Sequence, residues 1–345
     1  MKEITITKIQ EGQRLDRFLG KCLPGASRSF LYKMLRKKNI KLNEAKADGS
    51  EKLSAGDRIQ IYFSDETYAG FAGAKGGDHN AREEAGRTSH VGRDQGSSTE
   101  SDRLRKEVRI LYKDEDILIL HKPAGMLTQK SSPEDDSLND YLLDLCRREK
   151  WLDEEALTYF HPSVANRLDR NTSGIVLCGI SMKGLQQLSS ALRDRSLEKY
   201  YLTLVAGKVT RPGSVRGYLS KDREKNKVFF STHPLEGGAP VETEYEPVSC
   251  GEEVSLLKVR LITGKSHQIR VHLATEGFPI LGDNKYGDRR INRKLKMDLG
   301  ISGQLLHSYE IGFGRHLEGM KVRDPMPESF VRVMDYFGLE IPERP

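Results

Sequence analysis

The apolar positions of the first sixty residues form two helical stripes followed by short strands. Leu15, Phe18, Leu19 and Cys22 stand at i, i+3, i+4 and i+7, one face of a helix. Pro24 and Gly25 break it, and Ser27 is placed to cap a second helix carrying Phe30, Leu31, Met34 and Leu35. That helix ends in the basic run Arg36-Lys37-Lys38. From Ile40 to Phe63 the pattern reads as short strands with turns at Asp48-Gly49 and Gly56-Asp57. From about Ser64 to Arg105 the periodicity lapses. Gly, Ser and charged residues dominate, and before Leu104 only Tyr68, Phe71 and Val91 are sizeable apolar groups. So little apolar surface cannot offset ordering entropy, and a flexible linker is expected.

Beyond it, strand-like runs at 108–112 and 116–121 are joined by an acidic turn, and Lys122-Pro123-Ala124-Gly125 ends the second. Leu138, Tyr141, Leu142 and Leu145 give the next helix its apolar face. A strand GIVLCGI, a helix around Leu185, Leu188 and Leu192, and a strand at 199–207 follow, with later strands TEYEPV, EVSLLKVRLI and LLHSYEIGF. Strands outnumber helices without alternating with them, which argues against a doubly wound parallel sheet. The expected class is α+β: a mixed, largely antiparallel sheet with flanking helices, preceded by a small α/β module. The divisions expected are a module at 1–64, a linker at 65–105 and a catalytic-sized domain at 106–345.

Composition narrows this reading. With 345 residues, 37% hydrophobic and 31% charged, the chain suits two globular domains and neither a disordered nor a fibrous class. No apolar run is of membrane-spanning length, and the start MKEITITKIQ lacks a signal-peptide core. Cys22, Cys146, Cys178 and Cys250 are scattered without CxxC spacing, which argues against a zinc ribbon or disulfide framework and fits a reducing cytoplasm. Residues 1–63 hold 14 Lys/Arg against 7 Asp/Glu, so the rest of the chain has 42 against 43. The surplus sits in the first fifth, as an appended module for a polyanion would have it; a face kept basic for solubility is the plainer alternative.

The densest chemical cluster runs from Asn166 to Gly174, directly before the apolar strand at 175–177. Asp169 lies between Arg167 and Arg170 in a polar turn, where neighbouring guanidinium groups favour the ionised carboxylate that a nucleophile or base requires. An isolated R-x-D-R is most often one arm of a surface ion pair. Tyr201, in an alternating strand, would by itself be a half-buried sheet residue, and a lone Arg270 a surface contact. His267 and His272 are five apart, which does not put two ligands on one helical face, and no H-E-x-x-H occurs, so no zinc site is expected. Thr263-Gly264-Lys265-Ser266 is similar to the end of a phosphate-binding loop, but position 259 has Val where that loop needs Gly, which excludes nucleotide hydrolysis by this motif.

Longer strings are more specific. RLDRNTSGIVL resembles the signature of the RluA/RluC/RluD-type pseudouridine synthases, H-R-L-D-x-x-T-S-G-hydrophobic, and three further segments match in order: VRILYKDEDILILHKPAGML, EKYYLTLVAG and LITGKSHQIRVHLATEGFPILGDNKYG. The resemblance runs from about Glu107 to the C-terminal part of the chain. It implies that Asp169 is the catalytic carboxylate, Tyr201 the active-site tyrosine and Arg270 the basic partner of Asp169, with Arg167, Arg170, Thr172, Lys122, His267 and Gln268 about the substrate. Two departures are Asn166, where the family has histidine, and His121, where it has asparagine. The first sixty residues resemble the alpha-L RNA-binding module first seen in ribosomal protein S four, which would make Arg28, Lys33, Arg36, Lys37 and Lys38 phosphate contacts.

The implied reaction breaks a uridine N-glycosidic bond, turns the ring and re-forms the bond at carbon 5. Nothing is added or lost, so no cofactor and no metal is expected. The implied partner is RNA: large-subunit ribosomal RNA first, transfer RNA second, acted on by a monomer. A ribosome-assembly protein that binds RNA without chemistry is the competing class, and the joint presence of Asp169, Tyr201 and Arg270 speaks against it. A glycoside or nucleoside hydrolase would ordinarily need a second carboxylate, which the matched motifs do not supply.

Overall fold

The computed structural model describes residues 1–72, 100–222, 227–314 and 317–342. In the small module, strands β1 (Lys2–Thr5), β2 (Ile40–Leu42), β3 (Ala45–Lys46) and β4 (Arg58–Ile61) form a sheet of order β1-β4-β2-β3, antiparallel throughout. Helices α1 (Leu15–Cys22) and α2 (Arg28–Arg36) complete its core, where Leu15, Phe18, Leu19, Cys22, Leu31, Met34 and Leu35 are all buried. Ser27 accepts a hydrogen bond from the Phe30 amide at 3.3 Å, capping α2 as its sequence position suggests.

The two ends of the segment at 65–105 are helices rather than linker. In α3 (Asp65–Ala72), Phe71 packs its ring 4.8 Å from Phe30, and its carbonyl accepts from the Gly25 amide, so α3 belongs to the module. In α4 (Glu100–Glu107), Leu104 is buried in the large domain and Arg105 bonds Asp136 and Asp144. The few apolar residues of an otherwise polar stretch thus sit where the flanking cores can cover them. The remainder, 73–99, falls outside the described residues. The module also touches the large domain: the Phe18 ring lies 5.1 Å from that of Tyr159, Lys21 Nζ donates to the Tyr159 carbonyl at 3.1 Å, and Gln186 Nε2 to the Gly12 carbonyl at 2.9 Å.

The large domain adds β5 (Arg109–Lys113), β6 (Ile117–Lys122), α5 (Leu138–Arg148), α6 (Glu154–Tyr159), β7 (Ser163–Val164), β8 (Ser173–Gly179), α7 (Met182–Arg193), β9 (Glu198–Ala206), β10 (Gly213–Asp222), β11 (Lys227–Ser231), β12 (Ala239–Cys250), β13 (Val254–Leu261), α8 (Gln268–Thr275), α9 (Arg289–Leu299), β14 (Leu306–Gly312), β15 (Lys321–Arg323) and α10 (Glu328–Tyr336). Its sheet runs β11-β10-β12-β13-β9-β14-β8-β6-β5, and among the described strands only β14 with β8 is parallel, as a largely antiparallel α+β fold requires. Alternate strand residues feed opposite faces. On one face, Val176, Cys178, Tyr201, Leu257 and Val259 pack with Leu142 and Leu145 of α5 and Ile269 and Leu273 of α8. On the other, Leu202, Leu204 and Leu256 meet Leu295 of α9 and Phe330 and Val333 of α10, while Ile119 and Leu177 meet Leu188 of α7. Among the described residues no helix is long and apolar enough to cross a membrane.

Candidate active site

The turn before β8 is held from both sides. Upstream, Asn166 Oδ1 accepts the Leu177 amide at 2.7 Å, and Thr128 Oγ1 both donates to the Leu168 carbonyl and accepts its amide. Downstream, the Arg170 carbonyl accepts from the Gly125 amide at 2.9 Å and from Lys122 Nζ at 3.0 Å. The Thr172 amide closes the turn onto the Asp169 carbonyl at 3.0 Å. Two residues later Gly174 adopts φ +111° and lies so close to β14 that a Cβ would stand 2.3 Å from the Ser308 carbonyl oxygen. Only glycine fits there. The clamps leave the Asp169 side chain 28% exposed.

The partner of Asp169 comes from α8. Arg270 Nη1 donates to Asp169 Oδ2 at 2.7 Å, while its Nε and Nη2 donate to the two oxygens of Asp283 at 2.7 and 2.9 Å. This bidentate grip fixes the guanidinium plane and directs its third nitrogen, Nη1, at Asp169. Burial opposes the charge on Arg270, but Asp283 and Asp169 outweigh it and hold the guanidinium above its ordinary value. Burial likewise disfavours the Asp283 carboxylate; Arg270 overrides it, and the backbone amides of Lys285 and Tyr286, which donate to Oδ1, add to the effect.

His267 precedes α8 in the left-handed region, at φ 55°, where histidine is less disfavoured than bulkier side chains. That backbone turn brings its ring to Tyr286, whose hydroxyl lies 3.0 Å from Nδ1, and its Nε2 to 3.9 Å from Asp169. Burial pushes its protonation below the usual range against the pull of Asp169. Tyr201 is 6% exposed, and burial raises its hydroxyl to about 12, with a Ser308 side-chain contact acting the other way. It is therefore a protonated donor at neutral pH.

The structure thus brings Asp169, Arg270, His267 and Tyr201 together. It places other expected site residues differently. Arg167 and Arg170 are exposed and pair with no carboxylate among the described residues, so the guanidinium at Asp169 is Arg270 and not its sequence neighbours. Lys122 is fully buried and its three hydrogens go to the carbonyls of Pro123, Met126 and Arg170; it fastens the Asp169 turn and has no donor left for a nucleotide. Burial lowers its ammonium to about 7. Gln268 is also buried, its amide shared among Thr263, Lys265, Glu242 and Thr243. Thr172 is buried against Gln304. These three build the frame. Asp283, which falls in the last of the matched strings, anchors Arg270. Of the two departures, Asn166 braces β8, and His121 Nδ1 bonds the fully buried Asp324, away from Asp169. A hollow of about 600 Å³ opens beside Tyr200, Lys258 and Arg260, on the sheet face opposite Tyr201; it holds none of the groups above.

A family model described as RNA pseudouridylate synthase matches residues 116–275. The chain is 29% identical over 338 residues to ribosomal large subunit pseudouridine synthase C of Escherichia coli strain K12, covering 97% of this chain and 96% of that one. It is 28% identical over 346 residues to the protein of the same name from Pasteurella multocida strain Pm70, covering 97% and 93%. Among solved structures, human RNA pseudouridylate synthase domain containing 4 superposes with a TM-score of 0.57 at 21% identity, covering 70% of this chain and 97% of that one, a likeness of fold.

Proposed function

Since this chain belongs to the RNA pseudouridylate synthases of the RluA/RluC/RluD type, we propose that it converts particular uridines of large-subunit ribosomal RNA with Asp169 as its acting carboxylate. The observation that carries the reading is a single ion pair: a partly exposed carboxylate 2.7 Å from a guanidinium that a second, buried carboxylate holds in plane. Arg270 keeps Asp169 oriented and charged toward the sugar, whether that carboxylate attacks the anomeric carbon or removes the 2′ proton. The N-glycosidic electron pair leaves with uracil as Asp169 bonds to the anomeric carbon or takes the 2′ proton. The bond then re-forms at carbon 5 as Asp169 departs or returns that proton, and the proton lost from carbon 5 is balanced by the one gained at N1. Tyr201 would supply a ring for the loose uracil to stack on and a protonated hydroxyl to assist proton transfer, and His267 with Tyr286 a neighbouring wall. Confining the loose base keeps it from escaping while it turns. A stacked uridine is out of reach, so the target is flipped out or lies in a loop.

The N-terminal module would hold the RNA. Arg28, Lys33, Arg36, Lys37 and Lys38 are all exposed, and none forms an ion pair with another described residue. One chain supplies every group named here, so a monomer suffices; three buried cysteines and one exposed free thiol suit the cytoplasm.

Asp169→Asn keeps the shape and removes the charge. Nucleotide-resolution pseudouridine mapping on transcribed ribosomal and transfer RNA should find conversion reduced by at least about a thousandfold, as for loss of a nucleophile. RNA affinity should stay at the wild-type level. Wild-type conversion rates in the variant would remove Asp169 from the chemistry, and conversion confined to transfer RNA would overturn the ribosomal assignment.

A further inference from the structure

The near-zero charge of the large domain hides a local concentration of cations. Helix α9 carries Arg289, Arg290, Arg293, Lys294 and Lys296 on eleven residues, all exposed. The two acids at its ends are engaged: Asp288 caps the helix through the amides of Arg290 and Ile291, and Asp298 accepts from the Tyr336 hydroxyl. Arg289, Arg290, Arg293 and Lys296 have no ion pair among the described residues. A merely solvated helix face ordinarily interleaves opposite charges at i and i+4. Here Arg289 with Arg293, and Arg290 with Lys294, are like-charged at that spacing, a repulsion that weakens the helix unless an anion lies opposite.

The cations have a definite side. Ile291, Leu295 and Leu299 face inward, with Leu295 fully buried. Just round from them Asn292 faces the active-site turn: its Oδ1 accepts the Gly282 amide at 2.7 Å and its Nδ2 donates to the Asp283 carbonyl at 2.9 Å. At 3.6 residues per turn, Lys296, Arg289 and Arg293 come next beyond Asn292 in that direction. On the opposite flank Lys294 lies over the rings of Tyr336 and Phe337, and Asp298 is bonded to α10. One edge of α9 is thus occupied by α10, and on the other side Lys296 and then Arg289 follow the Asn292 that bonds the turn whose Asp283 grips Arg270, with Arg293 outermost.

We propose that this edge of α9 is a second RNA-contact surface, taking the phosphodiester backbone of the same strand that presents its uridine to Asp169. It rests on the RNA-substrate reading above and adds where the strand runs. The module and α9 would then hold the RNA at two points, with the second adjoining the reaction centre.

The test uses the full chain with Arg289→Gln, Arg293→Gln and Lys296→Gln combined. A control replaces Lys106, Arg193 and Arg211, exposed cations elsewhere without a described ion pair, by Gln. Binding of a transcribed ribosomal RNA fragment is followed against salt, and conversion under saturating and limiting RNA. Each lost phosphate contact should flatten the plot of log affinity against log salt by about 0.7 to 0.9, so the α9 variant should lose roughly two to three from its slope. Its KM should rise while kcat holds; the control should match wild type, and an Arg289→Lys/Arg293→Lys pair should keep the wild-type slope. An α9 variant that folds, modifies RNA and keeps the wild-type slope overturns the proposal, as does an equal loss in the control. If wild type itself leaves uridine unconverted, the function reading has failed, and the slope still decides whether α9 meets RNA.

Discussion

Asp283 is the residue through which the site is built. Its two oxygens hold Arg270, its Oδ1 also receives two backbone amides, and its carbonyl receives Asn292. Being fully buried with both oxygens occupied, it is not the second carboxylate that a glycosidase would need, although it lies one guanidinium away from the first. Asp283→Asn leaves Arg270 with one charged partner and a loosened plane. We expect kcat to fall about 10- to 100-fold, the range typical for groups that orient a reacting group, with RNA affinity unaltered. Single-turnover conversion rates would show it, and an undiminished rate would mean that Asp169 orients Arg270 unaided. Asp169, Arg270 and Tyr201 were legible in the sequence because each sits in a long, ordered string. Lys122, Thr172 and Gln268 stand in the same strings, yet their side chains face the frame, and a motif does not say which way a side chain points.

Elements were legible to the degree that one side of them is wet. Helices α1, α2, α5 and α7 each bury a single stripe and were found by their periodicity. Helix α8 buries Gln268 through Leu273 without a break, so its sequence has no polar side to betray it. In α9 the apolar stripe is only Ile291, Leu295 and Leu299 amid charges, too narrow to stand out. Helix α2 combines a full apolar stripe with a basic last turn. Its cations project from a helix whose other face is core, so Lys33→Gln, Arg36→Gln and Lys37→Gln together should leave thermal stability within a degree or two. They should flatten the salt dependence of RNA affinity by about two to three. Filter binding between low and moderate salt measures this, and an unaltered slope would leave these cations a solubilising role.

For the whole molecule, two buried histidines set an acid limit. Burial drives His272 and His307 down to about 4; His272 Nε2 has no hydrogen-bond partner among the described residues, while Asp324 pulls His307 upward without prevailing. Both lie below the unfolded value of about 6.5. Above that pH neither state binds the extra proton and stability is full. Between about 6.5 and 4 the unfolded chain takes up protons that the folded one refuses, so stability falls as the solution is acidified. At pH 5 the loss should reach at most about 2 kcal/mol for each histidine. Urea midpoints at pH 7.5 and pH 5 should differ accordingly, and His272→Gln should narrow the gap; equal midpoints would contradict the burial argument.

The parallel contact between β14 and β8 joins Ser173 and Gly174 to His307 and Ser308, more than 130 residues apart in the chain. Ser308 also stands opposite Tyr201 on β9, so β14 is the keystone between the strand carrying the tyrosine and the strand that follows the aspartate. Pairing of such distant segments is slow to form. A chain folded only as far as α9 has Asp169, Tyr201 and Arg270, and still lacks the strand that joins β9 to β8. The site is therefore complete only once β14 has paired with both strands.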